Sequence, residues 1–197
     1  SLKLIRRLHR EHPEAKIIVC GCLAQRDAAR VLLPGVVLVI GVQYRAQVVE
    51  LFERAVASGE ALCAVDSLKG AAFENLFVSR HEGKTRATMK IQEGCDRFCT
   101  YCVIPYVRGP VRSMPLPAVR AEAARLAGAG YREIVVTGIH LASYGRGEGA
   151  TLLEAIHAVA EPEGVKRIRL GSLEPDMLDE AAVDRLAAQE KLCPQFH

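Results

Sequence analysis

Short runs of β-branched and other apolar residues alternate along this chain with longer stretches of helical period, and that rhythm admits few folds. A helix over about 1–11 is followed by a strand at Lys16–Cys20, then a polar turn and a short helix over Arg26–Leu33. A second strand, Val36–Ile40, leads into a helix over about Tyr44–Ala57 that ends near Ser58-Gly59. That is one βαβα unit, for which a parallel, right-handed crossover is expected. Val36–Ile40 is also the longest apolar run, far short of a membrane span. The start, Ser-Leu-Lys-Leu-Ile-Arg-Arg-Leu, has the period of an amphipathic helix and lacks the continuous apolar core of a signal peptide. The expectation is a soluble, cytoplasmic protein.

Residues 63–86 hold small and polar side chains with no sustained period and read as a linker. From Ala87 the rhythm resumes. Strand Thr88–Gln92 precedes a long cysteine-bearing loop to about Pro117, then a helix over Ala118–Ala127 closed by Gly128 and Gly130. Strand Glu133–Thr137, a glycine-rich loop and a helix over Leu152–Ala160 follow, then strand Arg167–Leu170 and a helix over Met177–Ala188. The last residues, Leu-Cys-Pro-Gln-Phe-His, look like the entry to a fourth strand. Successive β-loop-α units of this kind build a parallel barrel or an open doubly wound sheet. Three units and a piece cannot close a barrel, and the first domain opens on a helix with no strand before it. The sequence therefore reads as an internal piece of an α/β protein, with domains at 1–62 and 87–197.

The chemistry concentrates in Lys90-Ile-Gln-Glu-Gly-Cys95-Asp-Arg-Phe-Cys99-Thr-Tyr-Cys102. Seven cysteines with three of them in eight residues suggest metal or redox chemistry in an intracellular α/β chain. Three thiolates on one loop can hold three irons of a 4Fe-4S cubane and leave the fourth without a protein ligand. An open iron can chelate a substrate or cofactor. Zinc competes for such residues, with His81 as a possible fourth ligand, but zinc sites usually pair two-residue spacings. A redox Cys-x-x-Cys at Cys99–Cys102 is a second reading, and packed core cysteines a third. The net charge of +3 at pH 7 does not by itself argue for nucleic acid.

Cys95, Cys99 and Cys102 in this spacing resemble the signature of the radical S-adenosylmethionine (radical-SAM) enzymes. The flanks, Gln92-Glu-Gly-Cys95 before and Val103-Ile-Pro-Tyr-Val-Arg-Gly-Pro-Val-Arg-Ser113 after, resemble the methylthiotransferases of that superfamily. The phrases Thr137-Gly-Ile-His-Leu-Ala-Ser-Tyr-Gly145, Arg169-Leu-Gly-Ser-Leu-Glu-Pro175 and Leu192-Cys-Pro-Gln-Phe-His197 are similar to the branch that modifies threonylcarbamoyladenosine in tRNA. Gln195 stands where that branch is expected to have His. The resemblance implies the later half of an N-terminal methylthiotransferase α/β domain followed by the first part of a radical-SAM (β/α) partial barrel. It also implies two 4Fe-4S clusters in the full-length enzyme and S-adenosyl-L-methionine as cofactor. The substrate would be tRNA, methylthiolated at C2 of N6-threonylcarbamoyladenosine at position 37, and the piece alone would be incompetent. The isopentenyladenosine branch and the ribosomal-protein aspartate branch remain alternatives within the family. A zinc-stabilised RNA-binding module and a ferredoxin-like electron carrier are the readings outside it.

Residue by residue, the resemblance implies that Cys95, Cys99 and Cys102 hold the radical cluster. It places Cys22, in the strand-end pair Gly21-Cys22, on the second cluster, whose other two cysteines would precede Ser1. A buried structural cysteine is the alternative for Cys22. Tyr101 would lie near adenine or pack as a core aromatic. Gly138 would let backbone approach the cofactor or simply serve a turn, and Glu174 would bind the cofactor's amino group or ribose, or cap the next helix. His140 is a candidate for substrate contact or for a scaffold role. Arg108, Arg112 and the run from Arg80 to Arg86 are candidate phosphate contacts or solvated surface. Cys20, Cys63 and Cys193 are assigned to packing. An electron donor such as flavodoxin or ferredoxin is implied, with no membrane contact and a monomeric state.

Overall fold

The computed structural model describes residues 1–77, 83–147, 149–175 and 178–197. Two compact units emerge, one of Ser1–Leu76 with Cys99–Gly109, the other of Phe77–Phe98 with Pro110–His197.

In the first unit α1 (Leu2–Glu11) leads into β1 (Ile17–Cys20), the short helices α2 (Cys22–Arg26) and α3 (Ala28–Val31), and β2 (Val36–Ile40). Then come α4 (Val48–Ser58) and β3 (Leu62–Ala64). The strands are parallel in the order β1-β2-β3. The central strand therefore buries both faces, which is why it reads as an unbroken apolar run rather than an alternation. Val39 packs with Ile5, Ala24 and Val31, whereas Leu38 and Ile40 pack with Leu51. So α1, α2 and α3 cover one face of the sheet and α4 the other. Gly59, left-handed at φ 71°, ends α4 where Ser58-Gly59 was expected to end it.

Several expectations need correction here. The helix expected from Arg26 starts at Cys22 and breaks at Asp27, whose backbone leaves the helical region and whose carboxylate accepts from Arg30 N (3.1 Å) to cap α3. The expected linker at 63–86 begins inside β3, where Cys63 and Ala64 pair with Val39 and Ile40. The stretch expected to be loop contains α5 (Ile104–Arg108), which packs on α2 and belongs to this unit with Cys99–Val103. Cys20 and Cys63, assigned to packing, are exposed. In β1 the alternation turns Ile17 and Val19 inward, which leaves Cys20 on the outer set.

The second unit contains β4 (Ala87–Lys90), β5 (Gln92–Glu93), β6 (Arg112–Ser113), α6 (Leu116–Gly128), β7 (Glu133–Thr137), α7 (Leu152–Ala160), β8 (Arg167–Leu170) and α8 (Glu180–Ala187). Its main sheet is parallel in the order β4-β7-β8. Leu192 makes a parallel bridge to Ile168, and Cys193 N donates to Ile168 O (2.9 Å), which starts a fourth strand beside β8 as the closing residues suggested. Ile134, Val136, Ile168 and Leu170 are buried on one face, and α6 packs along α7. The other face is charged at its start. Glu133 accepts from Arg169 Nε (2.8 Å) and lies 3.1 Å from Arg167 Nε and 3.7 Å from Arg86. Burial pushes the Glu133 carboxyl up, but the Arg169 hydrogen bond and the three guanidinium charges outweigh it and hold it below its ordinary value.

Here too the boundaries shift. The strand expected through Gln92 stops at Lys90, and Gln92–Glu93 instead pairs antiparallel with Arg112–Ser113. The helix expected from Met177 starts at Glu180, capped by Asp179, whose Oδ1 accepts from Ala182 N (2.7 Å). Met177 itself, like Arg80, His81 and Glu82, lies outside the described residues.

Candidate functional site

In the second unit the end of β4 and the ribbon of β5 with β6 deliver Cys95. Gln92 is fully buried and satisfies its whole amide locally: Nε2 donates to Glu93 O (2.9 Å) and Gly94 O (2.8 Å), and Oε1 accepts from His140 N (2.7 Å). Gly94 turns the chain at φ 78°, a conformation glycine adopts without penalty, and Cys95 follows, buried. Glu93 is buried as well, with Lys90 Nζ on its carboxylate at 2.6 Å.

The loop after β7 meets this segment. Gly138 has no room for a side chain, because a Cβ there would stand 2.7 Å from Gln92 Oε1 and 2.8 Å from Gln92 Cβ. Its glycine is thus required by the packing of Gln92. His140 is buried, 4% exposed, with Nδ1 at 2.5 Å from Ser143 Oγ. Arg97 Nε donates to His140 Nε2 (3.4 Å), and Glu174 Oε2 lies 3.4 Å from the same nitrogen. His140 is thus buried and met by Arg97, Ser143 and Glu174. Glu174 does not cap α8, since Asp179 does. Among the described residues its buried Oε2 has no hydrogen-bond partner.

In the first unit Cys102 N donates to Cys99 O (2.9 Å), which folds the end of the cysteine motif into a tight turn before α5. Tyr101 is 91% exposed, so core packing is not its role. Cys22 opens α2 directly after β1, and Arg108 Nε donates to its sulfur at 3.1 Å. Arg108 is therefore engaged by a thiol rather than simply displayed to solvent. Arg112, the other expected phosphate contact, is 6% exposed within β6, in the interior rather than on the surface. Cys193 is half-buried, beside Leu192 and Phe196 in a small apolar groove.

All seven cysteines are free thiols. Among the described residues no group of three or more His, Cys, Asp or Glu side chains stands ready to hold a metal ion. The donor set nevertheless suits a cubane: three unpaired thiols within one short stretch, the first in a low-dielectric setting and the last in a tight turn. Sequence reasoning missed Gln92, Asp96, Arg97, Ser143 and Arg146 as contributors. The only local signal was the three-residue separation of His140 and Ser143, which the turn at Leu141–Ser143 converts into contact.

No family model matches the chain. It is 36% identical over 203 residues to the threonylcarbamoyladenosine tRNA methylthiotransferase MtaB of Bacillus subtilis, covering 100% of this chain and 45% of that protein. The MtaB of Aquifex aeolicus is 31% identical, with coverage of 100% and 48%. Over its whole length the chain is thus similar to proteins named as tRNA methylthiotransferases. It spans under half the length of the curated relatives it matches. The tRNA-2-methylthio-N(6)-dimethylallyladenosine synthase of Pelotomaculum thermopropionicum is also 36% identical, covering 98% of this chain and 44% of that methylthiotransferase. Among solved structures, the radical S-adenosylmethionine methyltransferase TsrM of Kitasatospora setae superposes with a TM-score of 0.64 at 18% identity, covering 96% of this chain and 42% of the other. That likeness is one of fold. Among the described residues no helix is long and apolar enough to cross a membrane.

Proposed function

We propose that the protein is a methylthiotransferase acting on N6-threonylcarbamoyladenosine at position 37 of tRNA. The observation that carries this reading is the whole-length similarity to MtaB proteins, together with Cys95, Cys99 and Cys102 in radical-SAM spacing. Cys95, Cys99 and Cys102 would hold one 4Fe-4S cluster, and Cys22 would hold part of a second. With S-adenosyl-L-methionine bound and an outside donor supplying an electron, that cluster would provide the radical chemistry that breaking an unreactive ring C–H bond requires. Residues of this chain prepare for that chemistry. Gln92 fixes the turn that presents Cys95, and exposed Tyr101 is available to stack on adenine. The unsatisfied Glu174 Oε2 is suited to accept from an ammonium or a ribose hydroxyl. Arg108 donates to the Cys22 sulfur, a contact that fixes the direction of that side chain. An outside electron donor, a cytoplasmic location and a monomeric state complete the reading.

The dimethylallyladenosine branch is the second reading, because a relative of that name is as similar in identity as the Bacillus protein. The phrases around His140, Glu174 and Cys193 favour the threonylcarbamoyladenosine branch. The test is tRNA from a strain lacking the full-length gene. It should lose the methylthio group on threonylcarbamoyladenosine alone; loss on isopentenyladenosine instead would move the protein to the other branch.

A further inference from the structure

Positive charge is unevenly spread along this chain. Residues 1–34 hold seven Lys and Arg against three Asp and Glu, a net of +4, whereas the whole chain nets only +3. Four of the seven lie on α1. Lys3, Arg6, Arg7 and Arg10 recur at i, i+3, i+4 and i+7, a spacing that gathers them on one face of a helix over about 10 Å. All four are exposed. The opposite side of α1 faces the sheet: Leu2 and Ile5 join the core, and His9 stands against Gly35, where a Cβ would meet its Nδ1 at 2.6 Å. Arg26 on α2 and Arg30 on α3, also exposed, are carried by the other two helices on this side of the sheet.

A solvated helix face usually mixes its charges. Here like charges sit three and four residues apart, which opposes helix formation, and the first turn holds no acid to offset the helix dipole. Among the described residues only Arg7 of the four meets a carboxylate, that of Glu11 at 3.8 Å. A polyanion laid along the stripe would relieve this repulsion. Residues 1–34 contain no Phe, Tyr or Trp, so the face has neither the aromatic anchors of a protein interface nor a platform for stacking bases. It offers guanidinium groups, whose planar fork matches phosphate oxygens.

We propose that the α1 face is a docking surface for the sugar-phosphate backbone of the RNA substrate, with Lys3, Arg6, Arg7 and Arg10 as its phosphate contacts. The inference rests on the tRNA reading above and gives that substrate a handle in the first unit. Of the phosphate contacts expected from the sequence, Arg108 is engaged by the Cys22 sulfur and Arg112 lies in the interior. The α1 stripe takes over their part. Phosphate contacts position an RNA without reading its sequence, so the surface serves every tRNA the enzyme modifies.

The test is binding of tRNA, prepared from a strain lacking the full-length gene, to the full-length enzyme across a range of salt. Arg6→Gln with Arg10→Gln should make the slope of log affinity against log salt shallower by about 1.5 and weaken binding about ten-fold at about 0.1 M salt, equally for all tRNA species. Glu11→Gln, which frees Arg7, should tighten binding about two-fold. The melting temperature of the double variant should stay level or rise, because repulsion along the stripe is removed, and this separates a lost contact from a lost fold. Arg54→Gln on α4, exposed on the other side of the sheet, should leave slope and affinity unchanged. An unchanged slope in the double variant, or an equal loss from Arg54→Gln, would overturn the proposal. So would intact tRNA binding with slowed reduction by an acidic electron-donor protein, which would give the face to that partner. A parent enzyme that binds no tRNA would overturn the tRNA reading first, and this surface with it.

Discussion

The two units use the same parallel sheet order and present cysteine in opposite ways. In the first, β1 ends at Cys20, Gly21 leads into α2, and Cys22 arrives two residues past the strand with Arg108 on its sulfur. In the second, β4 hands its chain to a short ribbon, and Cys95 follows Gly94 on a segment held by Gln92 and the loop after β7. A side chain at a strand end inherits its position from the sheet. One carried on a loop takes it from local hydrogen bonds, and the buried polar groups of the second unit supply these before Cys95. That difference explains why Gln92, Glu93, Arg112, Ser113, His140 and Ser143 are buried there.

The largest expected effect separates the two kinds of cysteine. In the full-length enzyme, Cys95→Ala should remove about four irons and the associated visible absorbance, leaving the other cluster loaded. This chain by itself should take up about four irons. Close to twice that number would break the distinction between Cys22 and the other three. Next comes the sheet that carries Cys22. Leu38→Ala empties a fully buried site on the central strand and should cost about 2–5 kcal/mol in urea unfolding. A smaller loss would mean that the first unit is not positioned by its core.

The packing around Gln92 is addressed by Gly138→Ala, which drives a methyl against Gln92 and should cost about 1–3 kcal/mol by overpacking. Gln92→Ala in the same background should relieve part of that strain, and additivity of the two would mean that Gly138 and Gln92 do not constrain each other. The smallest effect is electrostatic. Glu133→Gln should cost about 1 kcal/mol near neutral pH, at the low end for charged hydrogen bonds because Arg167 and Arg169 are solvated. The Glu133 carboxyl is held below its ordinary value, so its stabilisation is complete above roughly pH 4.3 and fades as pH falls through the lower folded value. In the glutamine variant that part of the acid dependence should vanish; an unaltered acid limb would discard the contribution.

Legibility in the sequence followed periodicity. Val36–Ile40, Glu133–Thr137 and Arg167–Leu170 were plain because a buried parallel strand writes itself as an apolar run or a clean alternation. The helix over Leu152–Ala160 was found at its full bounds by period, and the structure adds the reciprocal cap of Thr151 and Glu154. What escaped was short or non-local. Gln92–Glu93 and Arg112–Ser113 are too brief to show a period, and their pairing joins residues some twenty apart. Ile104–Arg108 is a single turn or so of helix with proline near its start. The cysteine spacing was silent on the surroundings of Cys95, since Arg97 and His140 meet only through the fold.

The chain contains no tryptophan and five tyrosines, of which Tyr131 and Tyr144 are buried while Tyr101 stands 91% open beside Cys102. Its ultraviolet emission is therefore tyrosine emission, and one of its most accessible sources adjoins a thiol assigned to the metal. Iron bound there would absorb the light that Tyr101 emits. Assembly could thus be followed by the dimming of a native fluorophore, with Tyr101→Phe as the control that darkens the signal in advance.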